Sequence, residues 1–158
     1  MGRSIEELLQ EAARYKEEGN ELFASGQYKK AISKYSTVFA FTRGLPGSKR
    51  GMDNIASMAV GTPIDPSLDQ RAVELERLSE LNIAACYLKL EKGKEALEHS
   101  NKAIELDATV GKAFLRKGQA LLLLKNYDGC LSTHICFNEA FLSHSYLIPP
   151  FLKVLGRR

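Results

Sequence analysis

The strongest constraint on this chain is a self-similarity at a spacing of 34 residues. Ala84 and Gly118 stand 34 apart, as do Tyr87 and Leu121, and Ala103 and Phe137. A repeat of that length accommodates two helices and a turn, and such a unit buries its apolar face only by stacking on a neighbour. The stretch Arg77–Asp128 therefore reads as two consecutive units, one ending at Val110 and the next starting at Gly111.

A further copy lies upstream. Ser4 with Glu7 three residues later forms a capping box at the start of a helix running to Phe23. Ile5, Leu8, Leu9, Ala12, Ala13 and Tyr15, then Leu22 and Phe23, keep one buried face. Ser25-Gly26-Gln27 breaks it, and Tyr28, Ala31, Ile32, Tyr35, Val38 and Phe39 mark a second helix. The segment Gly44–Asp65 interrupts the pattern with four Gly and two Pro and reads as a long loop. Asp65-Pro66 then starts a helix expected to reach about Leu90, its first two turns projecting beyond the repeat. Gly93 turns the chain into a helix over Lys94–Leu106, Asp107-Ala108-Thr109 is the next turn, and Gly111–Leu124 is a further helix. Lys125-Asn126-Tyr127-Asp128 is predicted to be the turn that follows. Only four of the 41 charged residues (Glu139, Lys153, Arg157 and Arg158) fall in the last 30 positions, and Pro149-Pro150 stops any helix there.

These signals predict an all-α right-handed solenoid of three helix pairs. A three-repeat domain covers 1–142, with repeats at about 12–45, 77–110 and 111–142. The insertion occupies about 46–65, a helix extension 66–76, and an atypical apolar and basic tail 143–158. An exposed apolar end, an alternative C-terminus and self-association through the tail are all open readings of that last segment.

Composition narrows the function. The 44% apolar and 26% charged fractions are those of an ordinary globular chain, and no apolar run approaches the roughly 18 residues of a spanning helix. Met1–Glu6 lacks a signal-peptide core, and Glu6 stands where myristoylation wants Ser or Thr. Cys86, Cys130 and Cys136 form no CxxC pair and are expected to be reduced, packed thiols of a cytoplasmic protein. A net charge of +3 is too small to argue for nucleic acid by itself. The acidic runs Glu6, Glu7, Glu11, Glu17, Glu18, Glu21 and Glu74, Glu76, Glu80 break any basic stripe and read as solvated faces. His99, His134 and His144 are scattered, so no enzyme, metal site or cofactor is expected.

The first helix of each unit in such a stack lines the inner groove. Lys16 and Asn20 are i, i+4 on one such helix, Asn82 lies on the second, and Lys112 and Arg116 are again i, i+4 on the third. Three cations and two amides suit an anion with more than one carboxylate, and no acidic residue occupies the corresponding inner positions.

With these residues the chain resembles a three-repeat tetratricopeptide domain of the co-chaperone type over about residues 5–128. The long insertion also resembles FKBP-type immunophilins and the tetratricopeptide repeat protein 9 group. The resemblance implies a two-carboxylate clamp for the acidic C-terminal peptide of heat shock protein 90 or heat shock protein 70. Lys16, Asn20 and Asn82 would hold the terminal α-carboxylate, Lys112 the terminal Asp side chain, and Arg116 the peptide further upstream. Phe23 and Phe114 would offer apolar contacts. A general scaffold with another protein partner on the insertion or the apolar tail is the runner-up, and a basic-groove nucleic-acid binder comes third.

Overall fold

The computed structural model describes residues 3–43, 45 and 64–133. Five complete helices follow in order: α1 (Ile5–Ala24), α2 (Tyr28–Thr42), α3 (Pro66–Lys89), α4 (Gly93–Leu106) and α5 (Gly111–Leu123). Residues 127–133 begin another helix, and no strand occurs among the described residues. The helix starts follow local chemistry. Ser4 Oγ accepts from the Glu7 N–H at 3.2 Å, and the Glu7 carboxylate accepts from the Ser4 N–H at 2.9 Å, closing the capping box on α1. At α3 the Asp65 carboxylate accepts from the Ser67 N–H and hydroxyl, both at 2.8 Å, with Pro66 in the first position, where no N–H is required.

The three turns within helix pairs share one geometry. The residue just past the cap has positive φ in each: Gly26 at 77°, Glu91 at 56° and Lys125 at 56°. In each the next N–H reaches back six residues inclusive, Gln27 to Leu22, Lys92 to Tyr87 and Asn126 to Leu121, at 2.8–2.9 Å. The shorter companion bonds Gly26–Phe23, Glu91–Leu88 and Lys125–Leu122 complete a Schellman motif at each turn. The repeat seen in the sequence is therefore a repeat in backbone hydrogen bonding. The turn predicted over 125–128 is one step tighter than expected, because helix resumes at Tyr127.

α1 packs on α2 and α3 on α4 within pairs, while α2 meets α3 and α4 meets α5 between pairs. α1 also touches α3, and α3 touches α5, so these three helices share one side of the stack. The architecture is the predicted α-solenoid of helix pairs. Its centre is Ala31, Tyr35, Ile83 and Cys86, flanked by Leu22, Phe23, Tyr28, Ile32, Phe39 and Tyr87. Tyr35 is the bulkiest fully buried side chain and lies directly over Gly19; a Cβ there would come within 2.6 Å of its ring. The small residue is a steric requirement of the close approach of α1 and α2.

Two expectations change. The first turns of α3 do not project: Ala72 is buried with Leu9 and Leu45, and Leu68 and Leu75 pack around them with Ile5, Leu8 and Ile64. Both ends of the insertion, Leu45 and Ile64, are thus pinned to the N-terminal half of α1 by apolar burial. The acidic run on α3 is only in part a solvated face: Glu74 is exposed, but Glu76 is 6% and Glu80 1% exposed. Glu80 meets Arg43 Nη2 at 3.1 Å and His99 Nδ1 at 2.5 Å, and the His99 ring stacks on Tyr87. A charge this deep is stable only when paired, and the partners come from α4 and the end of α2, which a helix-face reading does not see. Beyond Asp128 the chain continues as helix. Residues 127–133 are helical, Cys130 faces Gly118, and Thr133 is buried. The expected features at His134, Cys136, Phe137 and His144, and the tail 143–158, lie outside the described residues.

Candidate functional site

Asn20 is the junction of the candidate site. Its Oδ1 accepts the Tyr35 hydroxyl at 2.8 Å and Asn82 Nδ2 at 3.2 Å. With both lone pairs of the oxygen engaged, the amide can face only one way, and Nδ2 is left as a directed donor. The Asn20–Asn82 bond joins α1 to α3. Burial pushes the Tyr35 phenol up to about 12, so it remains a donor at any ordinary pH.

Nδ2 of Asn20 donates to Glu17 Oε2 at 2.8 Å, and Lys16 Nζ lies 2.8 Å from Glu17 Oε1. A carboxylate therefore does sit among the predicted donors, contrary to the sequence expectation. The Lys16 ammonium, then the Asn20 amide, hold the Glu17 carboxyl below its ordinary range. Lys16 is only 20% exposed in its side chain and Glu17 is 63% exposed. Glu17 was legible in principle, because i, i+3 spacing places it beside Asn20.

Arg116, on α5, is half-buried. Burial lowers its pKa, and its electrostatic contacts with Cys86 and Tyr35 oppose that shift. Burial likewise pushes the Cys86 thiol up to about 11, which leaves it neutral and unreactive. Arg116 also lines a cavity of about 500 Å3 between α3 and α5, with Ala85, Leu88 and Lys89 on one wall and Gln119, Leu122 and Leu123 on the other. Lys112 is exposed one turn earlier on α5. Lys16, Asn20 and Asn82 are thus linked through Glu17 and the Asn pair, and Arg116 shares Tyr35 with them from the third repeat. Phe23 packs against the core cluster that holds Tyr35 and Cys86, edge-on to Tyr28 with ring centroids 5.3 Å apart. Phe114 is half-buried on α5. Leu88, Leu122 and Leu123, which the sequence reading did not single out, add apolar surface beside Arg116.

Among the described residues no group of three or more His, Cys, Asp or Glu could hold a metal ion, and no helix is long and apolar enough to cross a membrane.

The chain superposes on the C-terminal TPR-containing domain of a Plasmodium falciparum FK506-binding protein with a TM-score of 0.59, covering 89% of this chain and 95% of that one at 24% identity. The fold is that of a tetratricopeptide domain. In sequence this tetratricopeptide chain is 32% identical over 125 residues to the peptidyl-prolyl cis-trans isomerase FKBP4 of Bos taurus, and 29% identical over 123 residues to that of Homo sapiens. The matches cover 79% and 78% of this chain but only 24% and 23% of those proteins, so it spans about a quarter of their length. No family's sequence profile matches the chain.

Proposed function

We propose that the chain is a non-enzymatic, cytoplasmic adaptor whose groove binds the acidic C-terminal peptide of heat shock protein 90 or heat shock protein 70. Lys16, Asn20 and Asn82 hold the terminal α-carboxylate, Lys112 takes the terminal Asp side chain, and Arg116 reaches the peptide upstream. The cavity beside Arg116 has room for one apolar side chain of that peptide. The observation that carries this reading is the Asn82–Asn20 hydrogen bond, with Lys16 and Asn20 Nδ2 already converging on a carboxylate, that of Glu17. Similarity to FK506-binding relatives and a tetratricopeptide fold adds support, because the resemblance of Lys16, Asn20, Asn82, Lys112 and Arg116 to a carboxylate clamp is of the same kind.

Each charge-assisted hydrogen bond contributes about 1.5–3 kcal/mol, and a few of them with modest apolar contact correspond to micromolar affinity. Calorimetric titration with a peptide ending in Met-Glu-Glu-Val-Asp tests it. Binding is expected to fall at least about tenfold on C-terminal amidation and in Lys16→Ala and Arg116→Ala, one lost contact each. Binding indifferent to all three changes would sink the clamp.

A further inference from the structure

Glu17 has no part in the ligand-holding role described above, yet it touches two of the residues given that role. Its oxygens are divided between them: Oε1 faces Lys16 Nζ and Oε2 faces Asn20 Nδ2, each at 2.8 Å. This is how a ligand carboxylate would use the same donors, one oxygen on a cation and one on an amide. The Asn20 donor cannot turn away, because Tyr35 and Asn82 hold the other end of the amide. Glu17 itself can leave, since its side chain is 63% exposed and rotation about its own bonds carries the carboxylate into water.

We propose that Glu17 is a built-in competitor, an intramolecular carboxylate that occupies Lys16 and Asn20 in the empty groove and must be displaced by the ligand's carboxylate. The proposal rests on the carboxylate-binding reading of the groove and adds a gate to it. In the empty protein Glu17 keeps Lys16 extended toward the site and shields its charge, so weak anions gain little by entering. A ligand that displaces it leaves a second carboxylate beside its own, and the affinity is lower than Lys16 and Asn20 alone would give. The displacement cost is the same for every ligand that takes Lys16 and Asn20, so Glu17 sets a threshold that a ligand clears by engaging Lys112 and Arg116 as well.

Glu17→Gln keeps the length and one acceptor oxygen but removes the charge. The variant is expected to bind the acidic peptide about two- to fivefold more tightly, the fold-change typical of one exposed ion pair. The gain should be about the same for a single C-terminal residue as for the full peptide, and absent for the amidated peptide. In a Lys16→Ala background it should shrink, which a double-mutant cycle reads directly. A ligand-free readout is the carboxyl titration of Glu17 by NMR, with a midpoint below that of a glutamate in an unstructured peptide and moving up in Lys16→Ala. If Lys16→Ala weakens the peptide while Glu17→Gln leaves it unchanged or weaker, the gate is wrong and the clamp stands. If no variant or wild type binds the peptide, both fall. A Glu17 midpoint that ignores Lys16→Ala likewise overturns the gate.

Discussion

The Tyr35 hydroxyl, on α2, donates to Oδ1 of Asn20, on α1, across 2.8 Å, so a buried core residue sets the direction of a groove residue. The ring supplies the packing between the two helices, and its one polar atom orients the amide.

Tyr35→Phe separates those two contributions. The ring remains, and one hydrogen bond is lost, lowering stability by about 1 kcal/mol. Released from one of its two donors, Asn20 is expected to sample the flipped amide. Peptide affinity should then fall several-fold, with broadening of the Asn20 side-chain amide signals by NMR. Undiminished affinity with the expected stability loss would show that Asn82 alone suffices to orient Asn20.

Gly19→Ala probes the same contact from the other side. A solvent-exposed helical glycine usually gains about 0.5–1 kcal/mol on becoming alanine. Here the new Cβ would meet Tyr35 Cε1 at 2.6 Å and Cδ1 at 2.7 Å, and the ring is fully enclosed. The net effect is expected to be a loss of about 1–3 kcal/mol, seen in urea unfolding. A gain would mean that the helices can separate without cost.

The shared turn geometry makes a prediction of opposite sign. Glu91 occupies at φ 56° the position that Gly26 fills in the first repeat. Left-handed backbone costs an L-residue about 1 kcal/mol that glycine avoids, partly offset by the entropy of glycine in the unfolded chain. Glu91→Gly should therefore raise stability by up to about 1 kcal/mol. The same substitution at Glu95, inside the first turn of α4, is the control and should lower it.

Acid should loosen α3 from its N-terminus. Asp65 is held below the usual carboxylate range by its hydrogen bonds to the Ser67 hydroxyl and N–H. A depressed folded-state value means that the cap is fully effective above about pH 4, the unfolded aspartate value, and is lost as pH falls through the lower folded value. Amide exchange at Ser67 and Leu68 is expected to lose protection over that window. Asp65→Asn should retain much of the cap and abolish its pH dependence.

The sequence by itself determined the helix pairs, their order and their phase. A 34-residue period and the caps at Ser4 and Asp65 are local signals, read within one helix or one turn. It also placed Lys16 with Asn20 and Lys112 with Arg116, because i, i+4 neighbours need no tertiary information. Tertiary structure decided everything that joins one helix to another. Glu80 reads as surface along α3 and is buried, because Arg43 and His99 arrive from other elements to pair it. Leu68 and Ala72 read as an overhang and are core, because the N-terminal half of α1 lies against them. Most of all, Asn20 is a donor aimed into the groove only because Tyr35 and Asn82 converge on its oxygen from two other helices. Periodicity specifies which face of a helix is buried; the direction of a polar atom depends on which partners the packing brings within hydrogen-bond reach.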